Sequence, residues 1–455
     1  MGKKLKFGDL FAIGLGFTVG SGVFSLTGVA AMYTGGSAFL AYLIGAIMIY
    51  FMRFPVILAG SVVPRQGVSY SLTKESYGNS MGGFWFWIFF IGRIAMLANA
   101  TAFAIYFTSV FTTLNPKIVA GVIIVVFYLA NFFGLQTAAK AQKVLNLLML
   151  AAFLTFIVVG SANINTVFVF NQENFARGAA GGFFSAISTV VFCMGGGTAM
   201  LELGGVTEDA ERNLPKVTFL ITMLSGLVFA GIAFATVGAL ELVPMPDGAG
   251  MAGTLLFGGP AKSVINAAEA IFANMPPLFY FFIFCGTCMA AATTINGSFG
   301  WYATPVQAAI EDGWFPRWFG KPNKYGSPYR IQAIYALVTV VSLFFFSTES
   351  IGSVNTNVIK TATNLQILAD IIPNFALLCL PRLYPEVWEK SRWHMGRGAL
   401  TALFLLSTGL SVFLWALNFK GLAGIIQTVL LGLFVIGAFY ALIGGKTFAK
   451  KEKRG

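Results

Sequence analysis

The chain has 455 residues, 57% of them hydrophobic and 10% charged, with a formal net charge of +12 and a mean hydropathy of +0.79. Soluble domains carry about a quarter charged residues to cover their surface, so this composition excludes one. A membrane β-barrel is excluded as well, because the apolar runs are too long and do not alternate.

About 20 apolar residues cross a bilayer. On that basis the sequence predicts an all-α polytopic membrane protein with twelve spans, at 8–33, 36–60, 82–113, 117–134, 142–162, 181–203, 214–240, 270–305, 330–347, 355–380, 398–418 and 422–443. The first span follows "KKLK" and resembles a signal peptide. Its apolar run reaches span length without a small-residue cleavage site, so it reads as retained. "VGSG" (19–22) interrupts it at mid-depth. The second span is followed by "VVPRQGVSYSLTKESYG", and the third carries Arg93 within "FWIFFIGRIAMLANA". "CMGGGTAM" (193–200) interrupts the sixth span, which ends at Glu202 and leads into "TEDAERNLPKV". The eighth holds Cys285-x-x-Cys288, without a second ligand pair nearby, and reads as packed thiols like Cys193 and Cys379. The tenth carries Lys360 and Asp370.

Position explains the charge. Of the 29 Lys and Arg, four (Lys117, Arg177, Lys262, Lys420) fall in one set of loops and three (Arg53, Arg93, Lys360) within spans; the rest flank the other side with both termini. The positive-inside rule then puts both termini in the cytoplasm and makes the charge topogenic, with no nucleic acid partner expected.

Two glycine-interrupted spans five apart point to a transporter built on inverted repeats, with exposed backbone lining a cavity. Close packing of neighbouring helices is the alternative use of such glycines. The half-helix beginning after Gly20, Ser21 and Gly22 would offer first-turn N–H groups to a carboxylate. Carbonyls around Thr18 and Val19, and around Met194, Gly195 and Gly196, would accept from an ammonium. Together these describe an α-amino acid. Phe192 is placed to cover it, although with 47 phenylalanines an ordinary core role stands beside that reading. Arg93, Glu202, Asp370 and Lys360 are costly at depth and therefore functional candidates; an Arg93–Glu202 ion pair is the structural alternative. His394, the single histidine, lies in a loop, and no His, Cys and carboxylate cluster suits zinc, so neither catalysis nor a cofactor is expected.

The segments "VGSGVFSLTGVAAMYTGG", "PRQGVSYSLTKESYG", "AERNLPKV" and "GSFGWYATPVQAAIEDGWFPRWFGKPNKYGSP" resemble, in the correct order, the amino acid–polyamine–organocation (APC) superfamily. "NLQILADIIPN" is similar to the tenth span of its basic amino acid/polyamine antiporter branch. The resemblance implies a LeuT-like fold with broken helices 1 and 6, a five-plus-five inverted repeat (8–162 and 181–380), two additional helices (398–443), and alternating access. It implies an α-carboxylate site at Ser21 and Gly22, with Thr18 and Val19 beside it. Phe192 falls at the aromatic gate, Gly195 one turn on, and Trp85 on the inward path. Departures are Arg93 at the contact for a cationic substrate end, Thr198 for the usual acidic residue, and Ser298 for a tryptophan. Leu150 falls near a position that is lysine in some proton-coupled relatives. Arg93 should repel cationic side chains.

The expectation is a cytoplasmic-membrane amino acid transporter, an exchanger of neutral polar or acidic amino acids or close derivatives. Thr18–Gly22 and Met194–Gly197 would hold the α-groups, while Arg93 and Ser298 read the far end. Trp85, Thr198, Glu202 and Asp370 are gating or coupling candidates. The alternatives are a proton-coupled symporter using Glu202 or Asp370, a basic amino acid/polyamine antiporter, and, in a different class, a channel or structural membrane protein. The partners are a small-molecule substrate and the bilayer; the oligomeric state stays open.

Overall fold

The computed structural model describes residues 4–133, 135–164, 169–171, 174–239, 242–244, 251–253, 262–300 and 303–452. Among the described residues, each of the twelve predicted spans is mostly helical. The first is two half-helices, Phe7–Thr18 and Gly22–Thr34, bent by 50°, and the sixth bends by 41° between Ala179–Val190 and Cys193–Glu202. Long spans include Ala38–Val62 (second), Asn79–Val110 (third), Ala210–Ala239 (seventh) and Ile351–Leu383 (tenth). Pro116–Phe132 and Tyr329–Phe345, the fourth and ninth, are shorter. At 1.5 Å per residue the 17-residue fourth covers about 26 Å, a little under a bilayer's hydrocarbon thickness.

One boundary moves. The eighth span was expected from residue 270, which lies in a separate helix, Ser263–Ile271. The chain restarts at Pro276–Phe281, where consecutive prolines at the first helical turn lose only N–H groups that have no intrahelical acceptor. A π-helical turn, Phe282–Cys288, follows before Met289–Phe299. An antiparallel strand pair, Leu242–Pro244 with Met251–Gly253, is the only sheet among the described residues.

The core gathers around the first span. Phe24 is fully buried against Tyr106, Phe153 and Phe282. The half-helix Phe7–Thr18 is anchored differently, by amides: Asn146 donates to the Ala12 carbonyl at 2.6 Å, Asn296 to Gln142 at 2.9 Å, and Asn131 to Asn296 at 2.7 Å. These bonds join the first, fourth, fifth and eighth spans through buried side chains, so each partner satisfies an otherwise costly polar group. The eleventh and twelfth spans, Arg397–Lys420 and Gly424–Gly445, are the least buried, with Ile425 and Leu406 among many apolar side chains facing outward.

The sixth span departs from expectation. Its glycine run stays wound, as a 3-10 helix over Val191–Glu202. In a 3-10 helix side chains three apart eclipse, and Gly195, Gly196 and Gly197 have none to collide. The first span does open: Val19 leaves helical geometry, and the Gly20 N–H turns back to the Thr18 carbonyl at 2.9 Å. The two breaks touch at Gly196, where a Cβ would lie 2.7 Å from the Thr18 Cα.

Because that neighbour is backbone, Gly196→Ala should destabilise by about 1–3 kcal/mol, the usual cost of overpacking. Gly409→Ala, with nothing within 4 Å of its Cβ, should be neutral or gain up to about 1 kcal/mol. Thermal midpoints of detergent-solubilised protein, followed by size-exclusion fluorescence, check both.

Candidate functional site

Where the broken spans cross, they line a polar cavity. Phe17, Thr18, Gly20, Ser21 and Gly22 of the first span line it, with Cys193, Gly195 and Gly196 of the sixth. The third span contributes Arg93, Ala95, Ala98 and Asn99, the eighth Thr294 and Ser298, and the tenth Ile359 and Gln366. Ser21 donates to the Asn99 side-chain oxygen at 2.7 Å, and Asn99 donates to the Ala95 carbonyl at 2.9 Å. The start of the half-helix Gly22–Thr34 is thereby fixed to the third span. In that helix's first turn Phe24 donates to the Ser21 carbonyl at 3.1 Å, which leaves the N–H groups of Gly22 and Val23 at its positive end.

Arg93 stands in a three-residue 3-10 turn, Gly92–Ile94, that interrupts the third span. Its Nε donates to the Phe89 carbonyl at 3.1 Å, its Nη2 to Gln366 Oε1 at 3.4 Å, and its guanidinium lies 4.2 Å from the Phe89 ring centroid. Gln366 in turn donates through Nε2 to Asp370 Oδ1 at 3.0 Å. Asp370 is ion-paired with Arg53 of the second span. Arg53, 4% exposed, also donates to the Gly195 carbonyl and to Thr198 Oγ1. Four spans, the second, third, sixth and tenth, therefore meet in one chain of polar contacts.

That chain separates two cavities. Below the first lies a second, lined by Arg53, Gln366, Asp370, Thr198, Trp85, Ser69 and Glu202 among others. Arg53 and Gln366 line both. Ser69 of the loop helix Val68–Tyr77 lines the lower cavity. Glu202 accepts from the Ser69 hydroxyl and from the Ser69 N–H at 3.4 Å, so its carboxylate caps that helix's first turn. Arg65–Glu75 at 2.6 Å and Lys74–Asp312 at 2.8 Å latch the same segment, with Tyr384 donating to Glu75 at 2.5 Å.

The structure thus brings Thr18, Gly20, Ser21, Gly22, Arg93, Gly195, Gly196 and Ser298 to one cavity. Trp85, Thr198, Glu202 and Asp370 meet at the lower one. Val19 and Met194 are fully buried in the core, and Gly197 packs against Thr222 and Ile221. Phe192 belongs to the 3-10 segment, but its side chain lies outside the described residues. An Arg93–Glu202 pair does not form, since the two sit at opposite ends of this path and Glu202 caps the loop helix. The buried ion pair is Arg53 with Asp370. Sequence reading put Arg53 within a span without making it a site candidate, and passed over Asn99, Thr294 and Gln366. Gln366 had a legible signal, four residues before Asp370 and so on the same helix face. The Gly195 carbonyl, expected to await an ammonium, accepts from Arg53 and, at 2.8 Å, from the Thr198 hydroxyl.

Two broken helices crossing at a polar cavity, within a bundle of apolar spans, define a LeuT-like secondary transporter scaffold. The chain belongs to the amino acid permease family, whose profile matches residues 5–448, and so to the APC superfamily; it is a transporter and not an enzyme. It is 22% identical to an uncharacterised protein of Methanocaldococcus jannaschii, across 98% of this chain and 97% of that one. A serine/threonine exchanger of Bacillus subtilis is 27% identical over 58% of this chain and 63% of its own length. A branched-chain amino acid permease of the same organism is 24% identical over 55% and 57%.

Removing one member of a buried ion pair strands the other, at a cost of about 3–5 kcal/mol. Asp370→Asn should therefore lower the thermal midpoint sharply. Replacing both partners, Arg53→Met with Asp370→Leu, should recover much of the loss; no recovery would show that Arg53 is held mainly by Gly195 and Thr198.

Proposed function

We propose that the chain exchanges neutral polar or acidic amino acids, or close derivatives, across the cytoplasmic membrane by alternating access. The observation that carries this reading is the upper cavity, where an open first-turn helix start, the glycine face of the sixth span and a guanidinium converge. An α-carboxylate fits the N–H groups at Ser21–Gly22, and the repeats 8–162 and 181–380 would rock about this site. The partition of Arg53, Asp370 and Gln366 stands between site and lower cavity, so passage requires it to part. Loop charge puts the lower cavity on the cytoplasmic side, with both termini.

Exchange is favoured over proton coupling on two grounds. Leu150 stands where some proton-coupled relatives have lysine, and the buried carboxylates are already engaged, Asp370 with Arg53 and Glu202 with Ser69. The serine/threonine specificity in one relative's name agrees with a neutral polar substrate. Resemblance to the basic amino acid/polyamine branch concerns scaffold segments; two arginines at the cavity oppose cationic substrates.

Proteoliposomes preloaded with an unlabelled amino acid mixture should take up labelled L-serine or L-glutamate, and empty ones should not. Uptake that needs a proton gradient and ignores internal amino acid would favour the symporter. Ser21→Ala, which removes the bond to Asn99, should raise the apparent KM about fivefold, for a hydrogen bond worth about 1 kcal/mol.

A further inference from the structure

A separate cleft lies between the first, sixth, tenth and eleventh spans, on the face opposite the loop helix. Tyr33 of Gly22–Thr34, Lys360 of Ile351–Ile371 and Lys420 at the end of Arg397–Lys420 line it, with Ser185, Ser188 and Thr189 of Ala179–Val190. Cations are scarce here. The loops of this face hold four Lys or Arg and the spans hold three, yet one of each group converges on this cleft. Among the described residues no carboxylate lines it, and neither ammonium nor the Tyr33 hydroxyl has a hydrogen-bond or ion-pair partner. Lys360 follows Ile351 by nine residues, about 13 Å along the helix at 1.5 Å per residue, further than a lysine stem reaches. An ammonium at that depth is costly without a counter-charge.

The other polar groups are already engaged. Ser185 donates to the Gly181 carbonyl at 2.8 Å, and Ser188 and Thr189 donate to the Ser185 carbonyl, each at 2.9 Å. Asn418 accepts from Asn364 and donates to the Ser188 carbonyl at 3.0 Å, which ties the sixth, tenth and eleventh spans together at the cleft. The donors left are the two ammonium groups and the Tyr33 hydroxyl, which stands 3.9 Å from where a Gly421 Cβ would lie. Such a set suits a phosphate, whose oxygens accept from several donors at once. Beside the cleft, the sixth and eleventh spans expose Phe184 and Phe413, with ring centroids 5.5 Å apart. Cationic cleft and adjoining apolar surface together match a headgroup and its acyl chain. We propose that a phosphate-bearing anionic lipid binds here, its phosphate held by Lys360, Lys420 and Tyr33. Bound there, it joins the half-helices Gly22–Thr34 and Ala179–Val190 to the tenth and eleventh spans, next to Ile359, which lines the upper cavity. The proposal does not depend on which amino acid is carried.

Titrating delipidated protein in neutral detergent with dioleoylphosphatidylglycerol should raise its thermal midpoint by several degrees, as a ligand of the native state does. Dioleoylphosphatidylcholine, with no net charge, should raise it less than half as far. Inorganic phosphate and glycerol 3-phosphate should not reproduce the shift. Lys360→Gln with Lys420→Gln should remove most of the phosphatidylglycerol shift, and native mass spectrometry should find one fewer phosphatidylglycerol retained. Lys117→Gln with Lys262→Gln, lysines of the same face that do not line this cleft, should keep the shift. An equal shift from phosphatidylcholine overturns the proposal, as does a phosphatidylglycerol shift that survives loss of Lys360 and Lys420. The full shift from phosphate or glycerol 3-phosphate overturns the assignment to a lipid. If the double variant does not yield folded protein, Lys420→Gln and Tyr33→Phe decide: each should weaken the phosphatidylglycerol shift, and an unchanged shift in both overturns the site.

Discussion

A buried guanidinium organises this molecule. Arg53 is held by a carboxylate of the tenth span and grips a carbonyl and a hydroxyl of the sixth. A charge in that position is tolerable only with such company, because an isolated cation in the membrane interior is too costly to keep. Each bond it makes also fixes a neighbour. The Gly195 carbonyl is drawn toward the second span, Asp370 is oriented, and through Asp370 the Gln366 amide and Arg93 follow. One side chain thereby shapes the floor of the upper cavity and the roof of the lower.

The rest of the scaffold ties the neighbouring segments to this arrangement. Amides tie the half-helix Phe7–Thr18 to the fourth, fifth and eighth spans. The other half, Gly22–Thr34, is pinned through Ser21 to Asn99 and through Phe24 to an aromatic cluster. The loop helix is held both by polar bonds between separate segments, involving Glu202, Arg65, Lys74 and Tyr384, and by Val68, Tyr70 and Leu72, which are buried in the core.

Much of this was legible in the sequence because lipid leaves few options. Span length, the order of loops and the break at "VGSG" follow from helix length, charge position and the cost of consecutive glycines in a helix. The sixth-span glycines were legible as a special place, but not as a 3-10 helix. Glycine allows several windings, and a side chain arriving from the second span bonds one of its carbonyls. Pairing among Arg53, Arg93, Glu202 and Asp370 was illegible for the same reason: one-dimensional order does not say which spans face each other. Glu202 reads as a coupling candidate until the loop helix is seen to present its first turn to it. Asn99 and Thr294 gave only the weak signal of a polar residue in an apolar run.

The central claim is that substrate occupies the cavity between the two breaks. With the four native cysteines replaced by alanine, a cysteine at Ala98, which lines that cavity, offers the most direct measurement. Its alkylation by a small thiol reagent should slow several-fold when a transported amino acid is present at saturating concentration. A cysteine at Leu406 on the lipid-facing surface should be unaffected. Equal labelling at position 98 with and without a transported amino acid would contradict the placement of the site.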